Sequence, residues 1–259
     1  MGYSVDSNGR VVEERESRKE HRLSGSESGL LSIAKVFGYM AIGLLITAVV
    51  AFGLGALFYY WIGSGDSVKG SALTTYLLIM IVSGATCLII GIMLNFMLYR
   101  GNHNLVAPAI IYSVAMGALL SSFTMFIDWR LLGGAFLITA VIFGIMTLIA
   151  SLAKNLNALL IVGLGLFMGA GMMYLFNFLM GIWLGPEVWT RVMWIISFIY
   201  LVAIMLVTTY DIWRIKVISQ RGEMTKNLEI YCAFTLYVDF IYIFVRLVLL
   251  LLRFSGSRR

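Results

Sequence analysis

The chemistry in this sequence is concentrated in FTLYVDFIYIFVRLVLLLLR, residues 234–253, an apolar run that carries Asp239 near its middle and Arg246 seven residues on. A side chain charged at the centre of a bilayer costs about 2.5–3.5 kcal/mol on insertion scales, which makes an intramembrane acid a functional candidate by default. Such a carboxyl can bind and release a proton, or touch a cation, where water is scarce. Arg246 and Arg253 follow Asp239 at seven-residue steps, and each step turns only about 20° away from a common face of an ideal helix. Seven residues also rise about 10 Å, too far for a direct Asp239–Arg246 ion pair. Each charge must therefore find partners on other helices or in water, and the face that bears them must point into a bundle. Arg253 reads as a snorkelling anchor at the outer interface. Every other acid falls in the N-terminal segment, in a loop or, for Glu229, at the start of the last helix, apart from Asp211 in TTYDIWRIK. Taken alone, Asp211 reads as a wetted carboxylate at the cytoplasmic end of the sixth apolar run.

The elements that must position these residues are membrane helices. The chain has 259 residues, 61% of them hydrophobic and 12% charged, and its mean hydropathy is +0.93. A soluble domain carries about 25% charged residues. About 20 helical residues span the hydrocarbon of a bilayer, and seven runs qualify: 36–62, 72–99, 105–127, 131–153, 158–184, 192–212 and 228–252. Alternating strands of a closed barrel would not give such unbroken apolar runs. Pro108 falls in the first turn of the third segment, where a missing N–H costs little, and Pro186 reads as a loop residue. Residues 1–30 read as a flexible charged tail with too little apolar surface to order itself, 31–255 as the membrane domain and 256–259 as a short C-terminal tail. Twice as many Lys and Arg lie in the N-terminal segment and the second, fourth and sixth loops as on the other side, so the positive-inside rule predicts a cytoplasmic N-terminus.

Several function classes fall away. Cys87 and Cys232 both lie inside apolar runs and give no disulfide framework or zinc site, and no cofactor is expected. His21 and His103 lie outside the apolar centres, which removes the base an intramembrane serine nucleophile needs. The last segment has no lysine for a retinal Schiff base, and no HExxH occurs for metal-dependent hydrolysis. The protein is expected not to be an enzyme. The net charge of +6 reflects membrane orientation rather than nucleic-acid binding. Glycines such as Gly165 and Gly169 in GLGLFMGAG read as close helix packing through small residues, not as a phosphate loop, which needs a preceding strand.

LYVDFIYIF at 236–244 resembles the Leu-Tyr-Leu-Asp-Phe-Ile stretch of the Bax inhibitor-1 family. Tyr210 and Asp211, followed by a basic turn, resemble that family's sixth helix. KVFGYMAIGLLITA at 35–48, AFLITAVIFGIMTLIASLAKNL at 135–156 and LFNFLM at 175–180 are similar to its first, fourth and fifth helices. The resemblance covers about residues 33–255. It implies an all-α membrane protein of seven transmembrane helices, with two three-helix layers around a central C-terminal helix, and a bacterial inner membrane is expected from the short N-terminal tail and the absence of eukaryotic sorting signals. It also implies that Asp211 and Asp239 form a proton-sensitive pair gating a calcium leak, with both carboxylates as calcium contacts and Arg100, ending MLNFMLYR, as the arginine that bonds to them. Val238 replaces the family's usual leucine, the loop between the aspartates is longer, and Arg246 stands where a neutral residue is expected. A buried cation there implies a lowered calcium conductance or altered gating.

Two carboxylates held together in low dielectric do not readily both ionise, and they titrate as a unit. A shared proton holds them together, and losing it adds repulsion that can separate the sixth and seventh helices. If the sixth helix ends near Arg214, however, Asp239 lies about 10 Å deeper than Asp211, so contact requires staggered helices or a water-filled vestibule. The leading expectation is a passive pH-gated calcium or cation leak. A second is a regulator that binds other membrane proteins, such as a quality-control protease, through the charged segment at 10–22. A third is a proton-coupled transporter using Asp239 and Arg246. The expected partners are the lipid bilayer, calcium and protons.

Overall fold

The computed structural model describes the backbone of residues 13–63, 66–100, 104–184, 186–222 and 224–256, and the side chains of all these except 13–30, 62–63, 66–72, 98–100, 125–126, 174, 176–184, 186–194 and 253–256. Every regular element among them is a helix: α1 (Glu13–Gly63), α2 (Asp66–Arg100), α3 (Val106–Phe126), α4 (Trp129–Leu152), α5 (Asn157–Leu184), α6 (Pro186–Gln220) and α7 (Lys226–Gly256). Six are long and apolar enough to cross a membrane, over Leu31–Trp61, Leu73–Met97, Val106–Thr124, Trp129–Leu152, Ile195–Gln220 and Lys226–Leu252, and the described apolar part of α5 is Asn157–Met173. Short polar residues start the helices. Asp128 accepts from the backbone N–H of Arg130 at α4, and Asn104 and Asn155 do the same for Val106 and Asn157. Each offsets one of the orphan donors of a first turn.

α6 differs from the sequence reading at both of its ends. Pro186 opens the helix instead of lying in a loop, since a first-turn residue needs no N–H and its fixed φ already suits the helix. At its other end α6 continues past Ile212 to Gln220. Ile212, Ile215 and Ser219 recur at helical spacing and are buried, while Arg214 points outward and the Lys216 ammonium donates to the Ser151 carbonyl at the end of α4. The chain then reverses at Gly222, whose φ of 72° suits a residue without a Cβ. The segment read as a charged tail is also partly helical, because α1 begins at Glu13. Residues 1–12 and 257–259, and with them the outer parts of both tails, lie outside the described residues.

α7 touches α1, α2, α3, α4 and α6, while α5 packs on α6. The face of α7 that makes these contacts carries Leu236, Ile243 and Val248, all fully buried. Edge-to-face rings lock it to its neighbours: Phe234 to Tyr112 of α3, with centroids 4.8 Å apart, and Phe240 to Phe136 of α4, at 5.5 Å. α1 and α3 approach most closely at Gly117, where an added Cβ would lie 2.7 Å from the Thr47 carbonyl oxygen and 2.7 Å from the Val50 Cβ. Beside this crossing the Thr47 hydroxyl donates to the Ser113 carbonyl at 3.0 Å and meets the Tyr237 hydroxyl at 2.6 Å, joining three helices. Between membrane helices such packing and hydrogen bonds replace the hydrophobic drive. Gly165 and Gly169 depart from the expectation, because a Cβ at either would meet nothing within 4 Å. On α5 it is Gly163 that packs, its Cβ position lying 3.1 Å from Val207 of α6. The outward faces are large and apolar, as a lipid contact requires.

Candidate functional site in the membrane interior

The site is built where α6 and α7 run antiparallel. Thr208 and Asp211, one turn apart on α6, share the face that meets Asp239 of α7. The longer α6 places Asp211 about 14 Å before the end of its helix, and Asp239 lies about 20 Å into α7. The stagger between the two falls to about 6 Å, so the helices bring the carboxyls within electrostatic reach of each other without a separate distortion.

Asp239 is half-buried, yet its Oδ2 is fully enclosed and has no hydrogen-bond partner. Thr208 is its neighbour on α6, and the Thr208 hydroxyl is also buried without a partner. The two groups lie side by side. The next residue shows the ordinary alternative, since the Thr209 hydroxyl donates to the Met205 carbonyl one turn back at 2.7 Å. Leaving a buried polar group unpaired costs about 1–3 kcal/mol. A proton, a water or a cation that supplied the missing partner would recover that cost.

Asp211 is half-buried, within electrostatic reach of the exposed Arg214 of its own helix. Cys232 of α7 sits among Asp211, Arg214 and Glu229. Glu229 is 6% exposed, a burial that its reading as a helix-start residue missed. The signal was its place three residues before Cys232, which itself precedes Asp239 by seven. Among the described residues no group of three or more His, Cys, Asp or Glu side chains could hold a metal ion.

Arg246 finds its partner on α6. Its guanidinium carbon lies 4.4 Å from the centre of the Tyr200 ring, and that ring in turn packs against Phe167 of α5 with centroids 5.0 Å apart. A guanidinium over an aromatic face is stabilised by about 0.5–2 kcal/mol, more as water is excluded. Arg100 is the last residue of α2, and its side chain, like those of Arg253 and His103, lies outside the described residues. The α2 residue seen next to α7 is Asn95, which accepts a 2.7 Å hydrogen bond from the Tyr231 hydroxyl. Asp239 also lines a cleft of about 350 Å³ between α2, α3 and α7.

An all-helical bundle with helices long and apolar enough to cross a bilayer several times, and with two carboxyls in electrostatic reach of each other inside it, is a multi-pass integral membrane protein. Residues 31–256 match the family described as inhibitor of apoptosis-promoting Bax1, and the chain belongs to the Bax inhibitor-1 family. It is 30% identical to "Inner membrane protein YbhL" of Escherichia coli (strain K12) over 238 residues, covering 88% of this chain and 92% of that one. It is 28% identical to "Uncharacterized protein RP147" of Rickettsia prowazekii (strain Madrid E) over 236 residues, covering 87% and 89%. No solved structure matches the chain.

Proposed function

We propose that this protein is a passive, proton-sensitive cation leak, with calcium as a permeant ion and Asp211 and Asp239 as the sensor and cation contacts. The observation that carries the reading is the enclosed Asp239 oxygen, left without a partner within reach of a second carboxyl. With one proton between them the pair attracts, and α6 and α7 stay closed. Without it the two charges repel in a low dielectric, and the helices part around a hydrated path. In this reading seven spans form two three-helix layers about α7, which the contacts of α7 with α1, α2, α3, α4 and α6 support. The N-terminus is cytoplasmic, as the bias of Lys and Arg supports, and the membrane is a bacterial inner membrane, as with the relative of that name. Arg100 is the proposed cationic neighbour of the pair.

The test is calcium uptake by liposomes holding the purified protein, from pH 5 to 8. Wild type should admit more calcium as pH rises. Asp239→Asn, which cannot gain the second charge, should hold uptake at one low level across the range. No uptake at any pH from folded protein would sink the leak.

A further inference from the structure

The cleft between α2, α3 and α7 is lined differently from the other cavities of the bundle. The cavity between α1, α3, α4 and α7 and the one between α1, α3 and α7 are almost wholly apolar inside, whereas about half of this one is polar. Its volume of about 350 Å³ lies at the lower end of the range for small-molecule sites, about 300–1,000 Å³. Asp239 lines it. Tyr112, Tyr231, Phe234 and Tyr242 line it together with Asp239, and aromatic rings with an acid suit an organic cation.

Two of the remaining polar groups point the same way. The Thr235 hydroxyl already donates to the Tyr231 carbonyl, so its free capacity is to accept. The Asn95 amide NH₂ donates to the Gly91 carbonyl at 2.8 Å, and its oxygen faces α7 as an acceptor. Among the described residues that line the cleft there is no Lys, Arg or His. The site thus offers acceptors, rings and a carboxyl to a ligand that brings donors and positive charge. One wall continues into Leu88 and Ile92 of α2, both exposed on the lipid-facing surface, so an apolar tail can leave the cleft directly into the bilayer.

We propose that this cleft is a binding site for the ammonium head of an amphiphile that enters from the bilayer, with its head against Asp239 and its chain leaving past Leu88 and Ile92. The site goes beyond ion leakage and does not depend on it, since binding is read without any flux. The amine can belong to a free long-chain amine or to an ethanolamine lipid headgroup, and the test separates the two.

The full chain in phosphatidylcholine nanodiscs is titrated with dodecylammonium, and separately with dodecanol, following the thermal unfolding midpoint. Dodecylammonium should raise the wild-type midpoint at concentrations at least tenfold below those at which dodecanol has any effect. Asp239→Asn should weaken the response at least tenfold. Gly91→Leu, which fills the cleft and leaves the carboxyl in place, should do the same, so a folding defect in one variant does not decide the outcome. Replacing part of the phosphatidylcholine by phosphatidylethanolamine identifies the source. A raised midpoint that blunts the dodecylammonium response assigns the site to the headgroup, and an unchanged response assigns it to the free amine. Equal effects of dodecylammonium and dodecanol, or an unweakened response in both variants, would overturn the site.

Discussion

Arg246 offers the sharpest quantitative test of the proposed leak, because its charge is fixed. A guanidinium is not deprotonated in proteins, and Arg246 shares a face with Asp239 about 10 Å further along α7. At an effective dielectric of about 20, one positive charge at that distance raises the energy of a divalent cation beside Asp239 by about 3.3 kcal/mol and of a monovalent one by about 1.7 kcal/mol. The difference of about 1.7 kcal/mol corresponds to somewhat more than tenfold in relative permeability. Arg246→Gln should therefore raise the permeability of calcium relative to potassium by about tenfold, measured from reversal potentials across planar bilayers with the two ions on opposite sides. Arg246→Lys separates charge from stacking. It loosens the contact with Tyr200 but keeps the positive charge, and the permeability ratio should stay near wild type. A ratio unchanged in Arg246→Gln, or shifted equally in both variants, would refute the electrostatic reasoning while leaving the leak itself standing.

Two further expectations concern the scaffold. Gly117→Ala forces a methyl against the Thr47 carbonyl oxygen and the Val50 Cβ, each 2.7 Å from its position, and should cost about 1–3 kcal/mol as overpacking does. Gly169→Ala, with nothing within 4 Å, should cost nothing measurable, and thermal unfolding of both variants in detergent compares them. Tyr237→Phe removes a partner of Thr47 but leaves the Thr47–Ser113 hydrogen bond intact, so it should cost about 0.6 kcal/mol, the average for interhelical hydrogen bonds in a membrane. Thr47→Val loses both contacts and should cost more by the same measurement; a larger loss in Tyr237→Phe would mean the network is apportioned otherwise.

The membrane helices were legible because a long apolar run has few other uses, and their centres fall where hydropathy puts them. The end of α6 was not. Arg214 and Lys216 made RIKVISQ look like a loop, although Ile212, Ile215 and Ser219 kept the helical period underneath the charges. That misplaced end produced the difficulty over the depth of Asp211, which the continued helix largely removes. The glycine pattern was visible but ambiguous: spacing gives the face a glycine lies on, not whether another helix stands opposite it. Gly117 has such a neighbour, and Gly165 and Gly169 do not. Adjacency of Asp211 and Asp239 came from family resemblance, since nothing in residue spacing pairs two helices at a given register. Tyr200 was missed because an aromatic partner carries no opposite charge to mark it as the mate of Arg246.

Asp239 and Arg246 lie on one face of one helix, and the fold treats them in opposite ways. The arginine, whose charge cannot change, is set against a neutral ring that holds it in place. The aspartate, whose charge can change, is enclosed beside a second acid and a threonine hydroxyl, with one oxygen satisfied by neither. A carboxyl kept only to fasten helices together would use its neighbours, as Thr209 uses the Met205 carbonyl and Thr47 uses Ser113. An acid with an enclosed oxygen left without a partner, beside a second acid that repels its charge, adds little as a fastener. That contrast, within a single helix face, is the physical case for reading Asp239 as the working group of the bundle and Arg246 as the fixed charge against which it works.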